Sequence, residues 1–400
     1  MDLRSGVPLW LGGEPPATAF EDLTGPLDCD VAVVGAGVTG ALVAWELVRA
    51  GLDVVVLDCR DAGRGSTAAS TALIQYEIDT PLLDLREAIG RYRADRAYLA
   101  IARAVPRLGE IVREIGSECG YEKVPSLWLA SSESDGPALR REGAARLELG
   151  FELSVLSAPE IAARFVFTRA AGLLSETAAQ LNPFRFANDL LAVAARNGAR
   201  VRTGPGARVE GIERRGGNEL RARGGVVTAR RVVLATGYES QERLPAPVAA
   251  LRSTYAIATR PGQPTEGWDR RCLIWETARP YLYLRTTPDG RALVGGEDEA
   301  DADPDRRDAL IGQKAARLAT RGRELFPAID FVPEFAWAGT FAETRDGLPY
   351  IGRTAGMPDV WFALGYGGNG ITFAVLAAEI IRDAVCGERH EAADLFTFDR

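Results

Sequence analysis

Two periodicities alternate along this chain. Asp30 to Val34 is a short apolar run rich in β-branched residues, the pattern of a strand buried on both faces. From Ala41 to Ala50 the apolar residues recur at helical spacing until Gly51 stops them, and Val54 to Leu57 reads as a second buried strand ending on Asp58. Helical spacing returns over residues 81–118 through Leu82, Leu85, Ile89 and Tyr92. There Arg91, Arg93, Arg96, Arg103, Arg107 and Arg113 read as a solvated face. Ser126 to Ala130 predicts a strand, Pro137 to Leu149 a helix, and Ser157, Pro159 and Glu160 another helix start. Asn182 and Pro183 open a further helix that Gly198 closes.

Strands are predicted from Ala199 to Arg202, Arg208 to Glu213, Glu219 to Arg223, Gly225 to Thr228, and Val232 to Ala235, the last running into Thr236 and Gly237. Residues 250–335 predict a β-rich insertion, with strands at Ser253 to Thr259, Cys272 to Glu276, Tyr281 to Arg285 and Ala292 to Gly295, and a turn at Thr287 to Gly290. Asp298 to Asp308 reads as a solvated acidic loop. Trp337 to Phe341, Leu348 to Ile351 and Val360 to Leu364 are strand-like, and an apolar helix follows Gly370. Residues 1–27, with Pro8, Pro15, Pro16 and Pro26, suggest an extended arm pinned by Trp10 and Phe20.

The first strand, turn, helix and second strand form a unit with chemical meaning. Gly35, Gly37 and Gly40 stand as G-x-G-x-x-G, with Ala36, Val38 and Thr39 between them. The first glycine permits the turn, the second lets the backbone approach a pyrophosphate, and the third lets helix and strand lie close. The helix N-terminus offers N–H groups to phosphate charge. Asp58, about twenty positions further on, suits ribose hydroxyls and repels a 2′-phosphate, favouring FAD or NAD over NADP. Directly after it, Gly65, Ser66, Thr67 and Thr71, followed by Ala72 and Leu73, offer further donors to phosphate or ribityl oxygens; the plain alternative is an N-cap. A second phosphate-contacting segment is needed by FAD more than by NAD, and an NAD-dependent dehydrogenase gives no reason for it. Val209 and Gly237 are assigned to the same dinucleotide site. So are Gly367, Gly368, Asn369, Gly370, Ile371 and Thr372, where a helix N-terminus would face the flavin N1 and C2 carbonyl.

Composition narrows the chemistry. The 400 residues exceed one ordinary core and carry a net charge of −8, which argues against nucleic-acid binding. No apolar run reaches membrane-spanning length and no signal peptide is evident, so a soluble, cytoplasmic protein is expected. His390 is the only histidine, which sets aside histidine metal clusters and serine–histidine triads. Only Lys123 and Lys314 are available for a Schiff base, and the five cysteines are scattered. A bound cofactor is expected to supply the reactive group, with no metal.

Together the segments VAVVGAGVTG with Asp58, GRGSTAAST, LNPFRFANDLL, VVLATG, DGLPYIG and ALGYGGNGIT resemble the FAD-dependent D-amino acid oxidase superfamily, which includes glycine oxidase, sarcosine oxidase and γ-glutamylputrescine oxidase. The resemblance implies an α/β fold in which a Rossmann-like FAD-binding domain (residues 28–80, 160–245 and 336–390) is interleaved with a β-sheet substrate domain (81–159 and 246–335). It also implies hydride transfer from a C–N bond to flavin N5, giving an imine that water hydrolyses, with oxygen or another acceptor taking the electrons.

Departures from the family pattern bear on the substrate. Phe341 stands where glycine oxidases place a carboxylate-binding arginine, and Thr372 where sarcosine oxidases place a carboxylate-binding lysine. Gly339 stands where a flavin-linking cysteine falls, so the FAD is expected to be non-covalent. Arg345 and Arg279 are the remaining candidates to hold a carboxylate. An amine substrate is therefore favoured, in a pocket lined by Phe341, Tyr366, Tyr283 and Tyr255. The alternatives are a glycine, D-amino acid or sarcosine type of enzyme with an unplaced carboxylate-binding arginine, and a non-catalytic flavoprotein subunit or redox sensor. The chain is silent on its oligomeric state.

Overall fold

A computed structural model describes residues 3–13, 18–214 and 216–400; Pro15 and Pro16 of the predicted arm lie outside the described residues. Buried strands dictate the first layer. Arg200–Thr203, Val54–Asp58, Leu27–Val34, Gly225–Leu234 and Met357–Leu364 lie side by side in that order, all parallel. Their alternation sorts the two faces. Val31, Val33, Val54 and Val56 enter one core with the helices Val38–Arg49, Pro183–Arg196 and Gly370–Cys386, while Ala32, Val34, Val55 and Leu57 enter another with Leu220 and Val227. The segments predicted as Gly225 to Thr228 and Val232 to Ala235 are one strand, Gly225–Leu234. Its first half pairs with Asn218–Ala222, which leads to Val209–Arg214, and its second half with Met357–Leu364.

The second layer is a nine-stranded sheet built on the same rule. Its order is Arg4–Gly6, Pro333–Thr344, Ala249–Thr259, Ala292–Glu299, Leu282–Thr286, Leu273–Glu276, Ser126–Leu129, Ala171–Ser175 and Leu153–Ser157. Tyr255, Ile257, Leu282, Leu284 and Val294 point to one face, where the helix Pro304–Leu325 covers them. Thr254 and Tyr283 point to the other, toward the first layer. A short sheet of Leu73–Gln75, Ala178–Gln180 and Glu122–Lys123 joins the layers.

Several expectations need correction. Ala171–Ser175 and Pro333–Thr344 belong to the nine-stranded sheet, and Leu82–Ile89 with Arg91–Ile115 pack on the first core, so the expected boundaries at residues 81, 160 and 336 do not follow sheet membership. Only residues 300–303 of the acidic stretch Asp298 to Asp308 form a loop. Asp298 lies within the strand Ala292–Glu299, Asp303 caps the helix Pro304–Leu325 by accepting from Arg306 N at 2.9 Å, and Asp305 occupies its first turn, where negative charge favours a helix. The arginine face is not simply solvated: Arg96 pairs with Asp394, Arg103 with Glu391, and Arg107 with buried Glu46. The arm contributes an edge strand, and Trp10 is buried with its indole N–H donating to Ser70 O at 2.7 Å. Among the described residues no helix is long and apolar enough to cross a membrane, and no cluster of His, Cys, Asp or Glu is arranged to hold a metal ion.

Candidate active site

A cavity of about 590 Å³ runs between the two layers. One end is built by the glycine turn. Gly35 has φ 113°, and a Cβ there would sit 2.4 Å from Ala235 O; a Cβ on Gly40 would sit 1.8 Å from Gly35 O. Helix and strand can therefore meet only through glycine. Gly35, Gly37, Val38 and Thr39 line the cavity, whereas Ala36 and Gly40 stand behind the wall. Ala36 N instead donates to Asp58 Oδ2 at 2.8 Å, and Arg60 N donates to Oδ1 at 2.9 Å. Burial raises the Asp58 pKa, and those two N–H groups oppose it. The Arg60 guanidinium and Glu239 carboxylate, both on this wall, pair at 3.0 Å.

The hydroxyl-rich run lines the same cavity. Ser66–Ala69 is one helical turn, Thr67 Oγ1 accepts from Val38 N at 2.9 Å, and Gly65, Ser66, Thr67, Thr71, Ala72 and Leu73 all line the cavity. Val209 and Gly237 also reach it. At the far end Gly367, Gly368, Asn369, Gly370 and Ile371 form the wall. Thr372 is buried behind them and donates to Gln75 O at 3.1 Å. Asn369 Nδ2 donates to Glu77 O at 2.8 Å and to Gln75 O at 3.2 Å, so the glycine turn is tied to the segment after Leu73.

Of the expected substrate residues, Phe341, Tyr366 and Tyr283 line the cavity. Tyr255 does not: it lies on the opposite face of the sheet, with the Lys314 ammonium 5.4 Å from its ring. Arg345 is exposed and off the wall. Arg279 is exposed too, stacked 3.6 Å over the Tyr281 ring and donating to the main-chain O of Asp79 at 2.8 Å.

The residues that sequence reasoning missed are mostly acidic or aromatic. Gln75, Glu77, Asp79, Thr254, Trp275, Tyr238, Tyr281 and Asp298 all line the cavity. A signal existed for the first three. In ALIQYEID, Ile74, Tyr76 and Ile78 enter the core while Gln75, Glu77 and Asp79 face the cavity, the period of an extended chain with one wet face. Burial pushes Glu77 up to about 7, opposed mainly by the Arg146 guanidinium, and pushes Asp298 up to about 6, opposed mainly by the Thr254 hydroxyl. Ser66 Oγ, Gln75 Oε1, Glu77 Oε2, Trp275 Nε1 and Asp298 Oδ1 are buried without hydrogen-bond partners among the described residues. Since buried polar atoms are ordinarily bonded, this row of orphans on one wall fits a cavity made for a polar ligand. The glycine cradle, the helix N-terminus and Asp58 fit the dinucleotide part of FAD.

Comparison with known proteins agrees with this geometry. The family model DAO, FAD dependent oxidoreductase, matches residues 30–384. The chain is 28% identical over 393 residues to the gamma-glutamylputrescine oxidoreductase of Escherichia coli K12, covering 92% of this chain and 86% of that one. It is also 28% identical over 392 residues to the tRNA 5-methylaminomethyl-2-thiouridine biosynthesis bifunctional protein MnmC of Cupriavidus necator, covering 89% of this chain but only 57% of the relative, so it spans little more than half of that protein. The crystal structure of glycine oxidase from Geobacillus kaustophilus has the same fold, with a TM-score of 0.73 at 22% identity over 91% of this chain and 96% of that one. The chain belongs to the DAO family of FAD-dependent oxidoreductases, enzymes of the amine and amino acid oxidase type, and FAD is its cofactor.

Proposed function

We propose that this enzyme oxidises the C–N bond of an amine that carries no carboxylate beside the reacting carbon. The observation that carries this reading is the charge of the substrate end. Its wall holds Glu77, Asp79 and Asp298, while the basic residues on the cavity wall are elsewhere: Arg60 follows Asp58 along the chain, Arg208 precedes Val209, and Arg243 donates to Val209 O. A carboxylate substrate would meet like charge there, and a cationic amine would meet opposite charge and the faces of Trp275, Tyr281, Tyr283 and Phe341. When bound, FAD supplies the hydride acceptor, held without a covalent link because Gly339 stands on the wall. Glu77, poised near neutrality, takes the proton that a substrate ammonium must lose before its C–H bond can be oxidised. The aromatic side chains orient the amine and keep water away from it.

The test is the visible spectrum of the purified protein under anaerobic conditions, before and after adding amines and amino acids. Bleaching of the flavin band by carboxylate-free amines, and not by glycine, sarcosine or D-amino acids, is the expected result. Bleaching by the amino acids alone would sink the proposal and assign the carboxylate to Arg279, whose guanidinium already rests on Tyr281.

A further inference from the structure

We infer that the substrate carries two protonatable nitrogens, as a diamine or polyamine does: Asp298 with Asp79 holds the nitrogen that is not oxidised, and Glu77 with Gln75 faces the one that is. This rests on the amine reading above and goes further, from the class of bond to the shape and charge of the molecule.

Arg146, the basic group that faces Glu77, donates from Nε to Glu142 Oε1 at 2.8 Å, while its Nη1 stays 4.0 Å from Glu77 Oε1. One guanidinium between two carboxylates leaves a negative charge over on the cavity side. Asp79 accepts from Gly368 N at 2.9 Å, and the nearby Arg279 donates to the Asp79 main chain rather than to its carboxylate. Among the ion pairs of the described residues none engages Asp79 or Asp298. A single ammonium can answer the excess at one place only, and burying uncompensated carboxylates is unfavourable without a cation to meet them.

The carboxylates form two stations with different charged neighbours. Glu77 has Arg146 as its charged neighbour and sits on the chain after Leu73–Gln75. Asp298 lies near the end of the strand Ala292–Glu299 and has Asp79, Glu343 and Arg279 as its charged neighbours, with Thr254 beside it. Each station holds a buried oxygen with no partner among the described residues, Glu77 Oε2 and Asp298 Oδ1, and Gln75, 8% exposed, adds an unbonded Oε1 beside Glu77, which is 2% exposed. These are acceptors, the groups that ammonium donors seek. The aromatic wall suits the methylene chain that would join two such donors: Trp275 is stacked at 4.5 Å on Trp128, which holds it in place, and Tyr281 and Tyr283 flank it.

Amines that differ in the number of charged nitrogens test this. Anaerobic flavin reduction by butylamine, 1,4-diaminobutane and N-acetyl-1,4-diaminobutane should favour the diamine by about 10- to 100-fold in kcat/KM, the value of a hydrogen bond to a charged group. The acetylated diamine, which keeps its length and loses one charge, should behave like butylamine. Asp298→Asn should narrow the ratio of diamine to monoamine, and Asp298→Glu should widen it again, with flavin content and melting temperature showing that both variants are folded. Equal rates for all three amines, or an Asp298→Asn effect that falls equally on monoamine and diamine, would overturn the inference and leave the amine reading standing. Reduction by none of the amines while amino acids bleach the bound flavin would overturn both.

Discussion

Arg146 Nη1 lies 4.0 Å from Glu77 Oε1, with the arginine side chain 1% and the glutamate 2% exposed, and this pair joins the cavity wall to the core behind it. The same arginine holds Glu142, whose two oxygens accept from Leu82 N at 2.7 Å and Leu83 N at 3.0 Å and so cap the helix Leu82–Ile89. Tyr76, Tyr98 and Trp128 surround the guanidinium within 5.7 Å. Arg146→Leu strands two buried carboxylates and loosens a helix start. The expected loss is about 3–5 kcal/mol, read from urea unfolding followed by tryptophan fluorescence.

The pH dependence of stability should carry the mark of Glu77. Its pKa rises on folding from an ordinary 4.5 to about 7, so the folded state favours the protonated acid. Stability from this group is complete below pH 4.5 and is lost as pH climbs through about 7. Glu77→Gln stays neutral throughout. The variant should match the wild type in acid and exceed it above neutrality, by on the order of 3 kcal/mol at about 1.4 kcal/mol per unit. Parallel unfolding curves for the two proteins at acid and alkaline pH would contradict this assignment.

Gly40 illustrates a constraint that involves no ligand contact. Since a Cβ would fall 1.8 Å from Gly35 O, Gly40→Ala must push the helix Val38–Arg49 off its strand. The expectation is a loss of about 3 kcal/mol or more and a fall in the ratio of flavin to protein absorbance. At Gly37 the nearest atom to an added Cβ is Thr67 Oγ1 at 3.0 Å, a side chain that can move, so Gly37→Ala should retain the fold and weaken FAD binding alone.

What was legible follows from the range of the forces involved. The unit from Asp30 to Asp58 is local, its strands buried on both faces and its turn demanding glycine, and it could be read directly. The caps at Asn182 and Ser157 were legible for the same reason. The helix Pro304–Leu325 was hidden because its acidic start looks like a solvated loop and its apolar stripe is broken by arginines. Tyr255 and Tyr283 could not be told apart from composition, because facing depends on strand register and on the irregularity between Ser253 and Tyr255 against the partner strand. The acidic wall escaped notice because Glu77 and Asp298 lie far apart in the chain and meet one cavity only after the layers close.

Arg285 should prove a positioning residue for the cofactor loop. It is 1% exposed, with Nη1 donating to Ala72 O at 2.9 Å and Nη2 to Leu181 O at 3.2 Å. Ala72 sits at φ 54°, a conformation that an alanine holds only when its surroundings enforce it. A lysine cannot reproduce the fork of a guanidinium. Arg285→Lys should lose about 1–3 kcal/mol and release FAD more readily on gel filtration. Ala72→Gly in that background should restore part of the loss, because glycine adopts the loop conformation unaided.

The two tyrosines, on strands that flank Ala292–Glu299, offer the sharpest contrast. Tyr283 lines the cavity, with its hydroxyl 3.4 Å from Thr254 Oγ1, while Tyr255 is 1% exposed beneath the helix Pro304–Leu325 with Lys314 over its ring. Tyr283→Ala removes an aromatic face from the amine site, so the apparent affinity for substrate should fall about five- to thirtyfold, the range of one cation–π contact. Tyr255→Ala opens a void in the second core, and about 3–5 kcal/mol of stability should go while the KM of the protein that remains folded stays near that of the wild type. Steady-state kinetics and thermal unfolding on the same two preparations decide it. A KM effect from Tyr255→Ala as large as that from Tyr283→Ala would mean that the sheet presents its other face to the substrate.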